Sequence, residues 1–284
     1  MLSTIRIAAV AAALCSTVAG SGPAAAAGEG RALLRGEAEA YVQHVLPGSR
    51  DDAVARWRDP ICPLVAGLPA DQAEILLERL SSDALAVGAP LGASDCHANL
   101  FVVAAAEPKS AMRAWARREP VLFGAERQAD LDRVIAKDRP VRVWLKVASA
   151  AADGHFATDQ SQALFGTQGQ SSRPVMNWTN PTHLAANTAR YISGAAVVLG
   201  PGVQKVRIDQ LADYIALTTF AQVNQDADVG PEASVLKLFG PGAASPAGLS
   251  TADAAYLRAL YHVAPNGISQ RTNIAARMAE DETR

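Results

Sequence analysis

The sequence has almost no net charge and no block of either sign. Its 26 Lys and Arg residues nearly balance 28 Asp and Glu residues, and the formal net charge is -2. A protein that binds nucleic acid or an anionic membrane surface by electrostatics carries a clustered basic patch, which this sequence lacks. The composition therefore predicts no nucleic-acid partner.

Beyond its first residues the sequence also lacks an apolar run that could cross a bilayer, which takes about 20 strongly apolar residues. At the start of the chain, Arg6 precedes an apolar run over residues 7–18, and small residues follow at 24–27. This order is typical of a secretory signal peptide, which we place at residues 1–27. We expect a periplasmic or secreted protein with no transmembrane segment in the mature chain.

Cysteine is scarce, with three residues in the chain. A lipoprotein signal at Cys15 would need a small residue before it, and Leu14 stands there, so lipidation is a minor alternative. Loss of the leader leaves Cys62 and Cys96, and two thiols in an oxidising compartment usually pair. Their loop of about 34 residues makes the disulfide worth roughly 3 to 4 kcal/mol. A catalytic Cys96 helped by His97 is the weaker alternative, because adjacent residues of a strand point to opposite faces.

Common catalytic and metal-binding motifs are absent from the sequence. It has no G-x-S-x-G elbow, Walker loop, Cys-x-x-Cys pair or G-x-G-x-x-G after a strand. His155, Asp159 and His183 lie in or beside a polar segment, but their spacing matches no compact set of metal ligands. The sequence predicts neither a metal site nor a cofactor.

Strand and helix patterns alternate in the first half of the chain and predict a mixed α/β (α+β) fold. After a helix over residues 31–45, we expect a strand near 57–62, a helix over 71–87 and a buried strand over 99–105. These three elements form a strand–helix–strand unit. The apolar side of the second helix is predicted to comprise Ile75, Leu76, Leu80 and Leu85.

Two helices and a strand are predicted to complete a disulfide-tied N-terminal region, residues 28–147. The helices cover 108–119 and 130–136, and the half-buried strand covers 139–147. Arg113, Arg117 and Arg118 form a basic face on the first of these helices. We interpret that face as solvated, with an anion site as the minor alternative.

Residues 148–190 are rich in Gly, Ser, Gln, Thr and Asn and are predicted to be a loop-rich insertion. A strand over 190–199 then introduces a helical C-terminal region, residues 191–284. Its first helix, 208–224, is apolar on nearly every side, which predicts burial, and Asp209 is its expected N-cap. Asp213 is the only charged side chain inside this helix, so it must be paired, protonated or at the edge of a cleft.

The order of elements over residues 191–262, about a quarter of the chain, resembles an uncharacterised family of exported bacterial proteins with a zincin-like, metalloprotease-type fold. The residues that carry the likeness are Asn224, Asp226, Asp228, Ser234, Val235, Leu236, Leu249, Ser250, Thr251, Ala252, Asp253, Leu260 and Tyr261. The N-terminal stretches DPICPLVAGLP and DCHANLFVV are similar to exported alphaproteobacterial proteins of unknown function.

The resemblance implies a zincin-like C-terminal region without its metal site. Zincins need two His on successive turns of one helix and a Glu beside the first. The corresponding helix here has Ala212, Asp213 and Ala216, and no His occurs between His183 and His262.

Two functions follow as hypotheses. The leading one is a non-catalytic exported protein with a binding or envelope-maintenance role, whose partner is an unknown protein or small molecule. A purely structural role in an assembly is a separate, third possibility. The rival is a periplasmic hydrolase that uses Asp213 in a cleft, with groups from the polar segment. Asp226 or Asp228 would be its second carboxylate for acid–base chemistry, although Asp in such a loop ordinarily stabilises turns.

Overall fold

A computed structural model describes residues 33–46, 53–124, 128–151, 188–230, 233–240, 246–265 and 269–281. The predicted signal peptide lies outside these residues, as do His155, Asp159 and His183. No helix in the described ranges is long and apolar enough to cross a membrane.

A mixed sheet of five strands organises the described residues. The strands are β1 (Arg56–Trp57), β2 (Pro63–Ala66), β3 (Leu100–Ala104), β4 (Val141–Ala151) and β5 (Thr188–Leu199). β4 runs antiparallel along the whole of β5, whereas β1 and β3 pair with β5 in parallel and β2 pairs with β3 in parallel. Because β4 occupies one edge of β5, β1 and β3 share the other edge, and the order across the sheet is β4, β5, β3, β2.

Helices cover both faces of this sheet. They are α1 (Arg35–Val45), α2 (Ala70–Val87), α3 (Pro108–Arg118), α4 (Pro120–Phe123), α5 (Gln128–Ala136), α6 (Ile208–Phe220), α7 (Thr251–His262) and α8 (Gln270–Asp281), with short 3-10 helices at Val203–Lys205 and Val235–Phe239. Side chains of β5 alternate between the two faces: Val197 packs into the core with α1, α2, α6, α7 and α8, and Val198 packs into the core with α3, α4 and α5. The predicted mixed α/β class is confirmed as a sheet between two helical layers.

The strand–helix–strand prediction is confirmed by β2, α2 and β3, with differences at the edges. The predicted strand over 57–62 is two short strands, β1 and β2, on either side of Pro60, which has no N–H to donate to a ladder. On α2, Leu76 and Leu80 are buried, but Ile75 and Leu85 are 45% and 70% exposed. The buried stripe continues instead through Asp83, Ala84 and Val87.

The predicted loop over residues 148–190 extends too far into the flanking strands at both ends. Residues 148–151 belong to β4 and residues 188–190 to β5, which pair with each other. The pairing extends both strands past the segments that periodicity identified.

α6 is a core helix, as predicted, and every residue from Gln210 to Phe220 is buried. It ends before the predicted 224, because Ala221 is extended and forms an isolated β-bridge with Arg56. The N-cap position is Arg207 rather than Asp209. Asp209 lies in the first turn, where its carboxylate accepts hydrogen bonds from Arg207 Nε and the Gln210 N–H, both at 2.9 Å.

The predicted disulfide is confirmed. Cys62 and Cys96 are bonded with a Cα–Cα distance of 6.0 Å, so neither is a free thiol. The bond fastens the entry of β2 to the loop before β3, and Asn99 reinforces it by accepting the Cys62 N–H at 2.8 Å. Gly92 lies so close that a Cβ there would be 2.5 Å from Cys96 Sγ and 2.6 Å from Cys62 Sγ.

Candidate functional site

Three neighbouring parallel strands, β2, β3 and β5, end at the same edge of the sheet. The register places Ala66 opposite Val103 and Ala104 opposite Leu199. The residues that follow these strand ends line a cavity of about 610 Å³, which we call the strand-end crevice. In open α/β sheets, ligands bind beyond the carboxyl ends of parallel strands, so this is the expected place for a site.

Small residues and close backbone contacts shape the crevice. Gly67 ends β2 with a φ of +80°, and a Cβ there would be 2.6 Å from the carbonyl oxygen of Ala104. Beyond β5, a Cβ on Gly200 would be 2.7 Å from Pro108 Cγ. Three alanines, residues 104–106 at the end of β3 and just beyond it, line the crevice with little side-chain volume.

Apolar side chains form most of the crevice wall. They are contributed by the turn after β2, by the 3-10 helix after β5 and by the start of α6: Leu68, Val203, Val206, Ile208 and Leu211. Gln72 and Gln204 add two carboxamides, and the described residues that line the crevice include no charged side chain. A wall of this kind suits an uncharged, largely apolar group.

A second cavity of about 480 Å³ adjoins the crevice, and Ala106 and Pro201 line both. We call it the cationic pocket because Lys109, Arg139 and Arg142 line it. Its acidic lining residues are Glu107 and Asp138.

Arg142 is 1% exposed and is fixed in place by the backbone. Nη1 donates to the carbonyl oxygen of Arg139 and Nη2 to that of Lys137, each at 2.8 Å. Nε finds no acceptor among the described residues. Asp138 offers a carboxylate oxygen at 3.9 Å, but its own side chain is 97% exposed. Burial lowers the pKa of Arg142, which means that its charge is incompletely compensated.

Asp213 is paired, one of the three states that the sequence allowed. It is buried, and Arg79 of α2 donates to both of its oxygens, from Nε to Oδ1 at 2.6 Å and from Nη2 to Oδ2 at 3.1 Å. The Leu249 N–H also donates to Oδ2 at 2.9 Å. Asp213 lines neither the crevice nor the cationic pocket, so its carboxylate joins elements of the core.

Asp83 is a second carboxylate at this salt bridge, and the sequence did not single it out. Its Oδ1 is 3.5 Å from Arg79 Nε, and its buried Oδ2 has no hydrogen-bond partner among the described residues. Burial, followed by the charge of Asp213 and a hydrogen bond with it, raises the pKa of Asp83 to about 7, with Arg79 opposing the change.

Asp226 and Asp228 interact with other residues. Asp226 forms ion pairs with Lys137 and with Arg139, the latter at 2.7 Å. Asp228 accepts the Gly230 N–H at 3.0 Å and thereby closes a turn. The described hydrogen bonds and ion pairs of these two carboxylates are with these groups and do not include Asp213.

Asp253 lies at the centre of a buried polar cluster that links three elements. Ser250 and Asp253 form a capping box at the start of α7: Ser250 Oγ accepts the Asp253 N–H at 3.1 Å, and Asp253 Oδ2 accepts the Ser250 N–H at 3.0 Å. Oδ1 accepts from Tyr41 OH of α1 and from Ser234 Oγ, and Oδ2 also accepts the Val235 N–H. Burial raises the pKa of Asp253, and these donors oppose the rise.

Comparisons with protein-family models, with curated protein sequences and with solved structures found no match to this chain. Nor do the described residues bring together three or more His, Cys, Asp or Glu side chains that could hold a metal ion. The crevice was missed at the sequence level, although small or turn-forming residues follow each of the three strands, in GLP after β2, AAEP after β3 and GPG after β5.

Proposed function

We propose that this is an exported, non-catalytic protein that binds a small, largely apolar molecule in the strand-end crevice. The observation that carries the proposal is the cavity of about 610 Å³ at the carboxyl ends of three neighbouring parallel strands. Its volume lies within the range of ligand pockets, about 300 to 1,000 Å³.

Export to the periplasm or the cell exterior is part of the proposal. Its support is the leader pattern over residues 1–27 together with the Cys62–Cys96 disulfide, because such bonds persist in oxidising compartments. A zincin-like scaffold without metal ligands also remains a hypothesis, supported by the buried helix α6 with Ala212, Asp213 and Ala216 facing the core.

The contacts of Asp213 favour binding over hydrolysis. A general acid or base must reach a substrate, whereas Asp213 is 1% exposed and accepts three hydrogen bonds from the protein.

Binding in the crevice is tested with Nile red, a neutral fluorophore that brightens in apolar sites. We expect the wild-type protein to bind it, and Ala106→Trp to abolish binding, because Ala106 is exposed and a large side chain there would fill the crevice. Ala86→Trp is the matched control. Ala86 is exposed near the end of α2, about 24 Å from Ala70 at the start of that helix, which is the end that lines the crevice. Equal binding by Ala106→Trp and Ala86→Trp would contradict the proposal.

The natural ligand can be sought by native mass spectrometry of the wild-type protein purified from its own compartment. We expect a bound small molecule that is missing from Ala106→Trp prepared in the same way.

A further inference from the structure

We propose that the ligand of the crevice carries one acidic group, which binds in the cationic pocket against Arg142. This rests on the proposed function, because it assigns the apolar part of the ligand to the crevice. The ligand class is therefore a small amphipathic anion, with an apolar body and a single carboxylate or similar acid.

The two cavities are placed for one molecule to occupy both. Ala106 and Pro201 line the crevice on one side and the cationic pocket on the other. Both residues are exposed, so a ligand that crosses them need not displace core side chains.

Arg142 is the residue in the cationic pocket that most needs a partner. Its side chain is almost fully buried, and its two Nη atoms are held by carbonyl oxygens, which are neutral. Removing a cation from water is costly unless an anion accompanies it. Asp138, at 3.9 Å, faces solvent and is shared with Lys109 at 3.6 Å, so its compensation of Arg142 is screened by water. A bound acid in the cationic pocket would add the negative charge that the solvent-screened Asp138 does not supply to Arg142.

Other groups around the pocket add positive potential. Lys109 belongs to the first turn of α3, and residues 106–108 at the start of that helix line the pocket. The N-terminal end of an α-helix carries a partial positive charge that favours anions. Arg139 lines the pocket too, but Gln225 and Asp226 already accept its hydrogen bonds at 2.9 and 2.7 Å, so it contributes to the field more than to direct contact.

The acidic residues Glu107 and Asp138 oppose this field and limit the ligand's charge. Among the described residues, three cationic and two acidic side chains line the pocket, an excess of one positive charge. That excess matches a singly charged acid better than a polyanion.

The experiment compares three probes on the full-length mature protein near neutral pH: decanoate, 1-decanol and acetate, with affinities measured by displacement of Nile red or by calorimetry. Decanoate has the chain and the acid, decanol has the chain alone, and acetate has the acid alone. A charge-assisted contact should make decanoate bind about tenfold or more tightly than decanol. Acetate should bind too weakly to measure.

The charge-reversing variant Lys109→Glu should remove most of the preference for decanoate and leave the affinity for decanol unchanged. Arg117→Glu is the matched control, because it makes the same change of charge on an exposed residue of the same helix, about 12 Å away. It should retain the wild-type preference, and melting temperatures verify that both variants are folded.

The outcomes separate this inference from the proposed function. Equal affinities for decanol and decanoate, or equal preferences in Lys109→Glu and Arg117→Glu, would overturn the acid-binding role alone. Acetate binding as tightly as decanoate would also overturn it, by revealing a simple anion site. Failure of both decanol and decanoate to bind would refute the crevice as a ligand site, and the inference with it.

Discussion

Two buried carboxylates, Asp83 and Asp213, compete for the partly exposed guanidinium of Arg79. Arg79 donates two hydrogen bonds to Asp213, whereas the nearer oxygen of Asp83 lies 3.5 Å from Arg79 Nε. The other oxygen of Asp83 is buried and has no hydrogen-bond partner within the described ranges. Two neighbouring carboxyl groups repel each other when both are ionised. The carboxyl with fewer hydrogen-bond donors, Asp83, therefore retains its proton to a higher pH. The pKa of Asp83, about 7, expresses this competition.

Asp83 should make the protein less stable as the pH rises. Its pKa is about 7 in the folded protein and about 4 in an unfolded chain, so the folded state binds the proton more tightly. The free energy of unfolding should therefore fall between about pH 4 and pH 7, by on the order of 2 kcal/mol from this group, and then level off. Asp83→Asn should reduce this slope and raise the melting temperature near pH 8, as measured by thermal denaturation across pH.

The exposed residue Asp59 provides the control for that experiment. Asp59→Asn should keep the wild-type slope, and an unchanged slope in Asp83→Asn would refute our account of the site.

Removal of the Asp213 charge should destabilise the protein. Asp213→Asn weakens the interaction with Arg79 and leaves Asp83 with the guanidinium, and we expect a loss of about 1 to 3 kcal/mol, or several degrees in melting temperature. Asp209→Asn on the same helix removes an exposed ion pair with Arg207 and should cost less than about 1 kcal/mol. The hydrolase hypothesis makes the opposite prediction for Asp213→Asn, namely lost turnover with an unchanged melting temperature.

At the scale of elements, the buried cluster around Asp253 joins α1, α7 and the 3-10 helix Val235–Phe239. Tyr41 and Ser234 reach it from segments that are distant in sequence. The capping box within α7 could be read from the sequence because Ser250 and Asp253 are three residues apart. Tyr41 and Ser234 could not be predicted as further partners of Asp253, because local spacing carries no information on which other elements pack at the start of α7.

Two buried tyrosines allow the strength of this cluster to be measured. Tyr41 donates to Asp253, whereas the hydroxyl of Tyr256 finds no hydrogen-bond partner in the part of the chain that the structure describes. The ring centroids of the two tyrosines are 6.0 Å apart. Tyr41→Phe should lower the free energy of unfolding by about 1.5 to 3 kcal/mol, because a buried carboxylate loses a donor. Tyr256→Phe should be neutral or stabilising in the same denaturant titration, and equal effects would show that Asp253 does not depend on Tyr41.

Sequence patterns located the helices and strands better than they located their ends. The periodicity of α2 identified the helix but included Ile75 and Leu85, which are exposed because α6 and α7 pack on the stripe that also contains Asp83. The end of α6 was placed too late because the apolar pattern continues through Val223, whereas Ala221 leaves the helix to pair with Arg56. Both errors arise where tertiary contacts override local preference.

At the scale of the whole molecule, the candidate site depends on pairings that no local pattern specifies. The strand-end crevice brings together the ends of β2, β3 and β5 near residues 66, 104 and 199. The strands were predictable from apolar runs, but their neighbours and register were not. The disulfide was predictable because, with Cys15 assigned to the predicted leader, composition left Cys62 a single partner.

The disulfide should contribute measurably to the stability of the whole molecule. Replacement of both Cys62 and Cys96 by Ala should lower the free energy of unfolding by roughly 3 kcal/mol, because the unfolded chain is no longer restrained. Reduction of the wild-type protein should lower its melting temperature to about that of the double variant. The same treatment should leave the melting temperature of the double variant unchanged.

The contacts between early and late segments have a consequence for the timing of folding. Tyr41 meets Asp253 across 212 residues, and the Val54 N–H meets Gln270 Oε1 across 216. The helical layer that contains α1 cannot close until the polypeptide beyond residue 250 has emerged from the ribosome, and contacts of such long sequence separation form slowly. A chain with this topology therefore cannot complete its fold until nearly all of it has been synthesised.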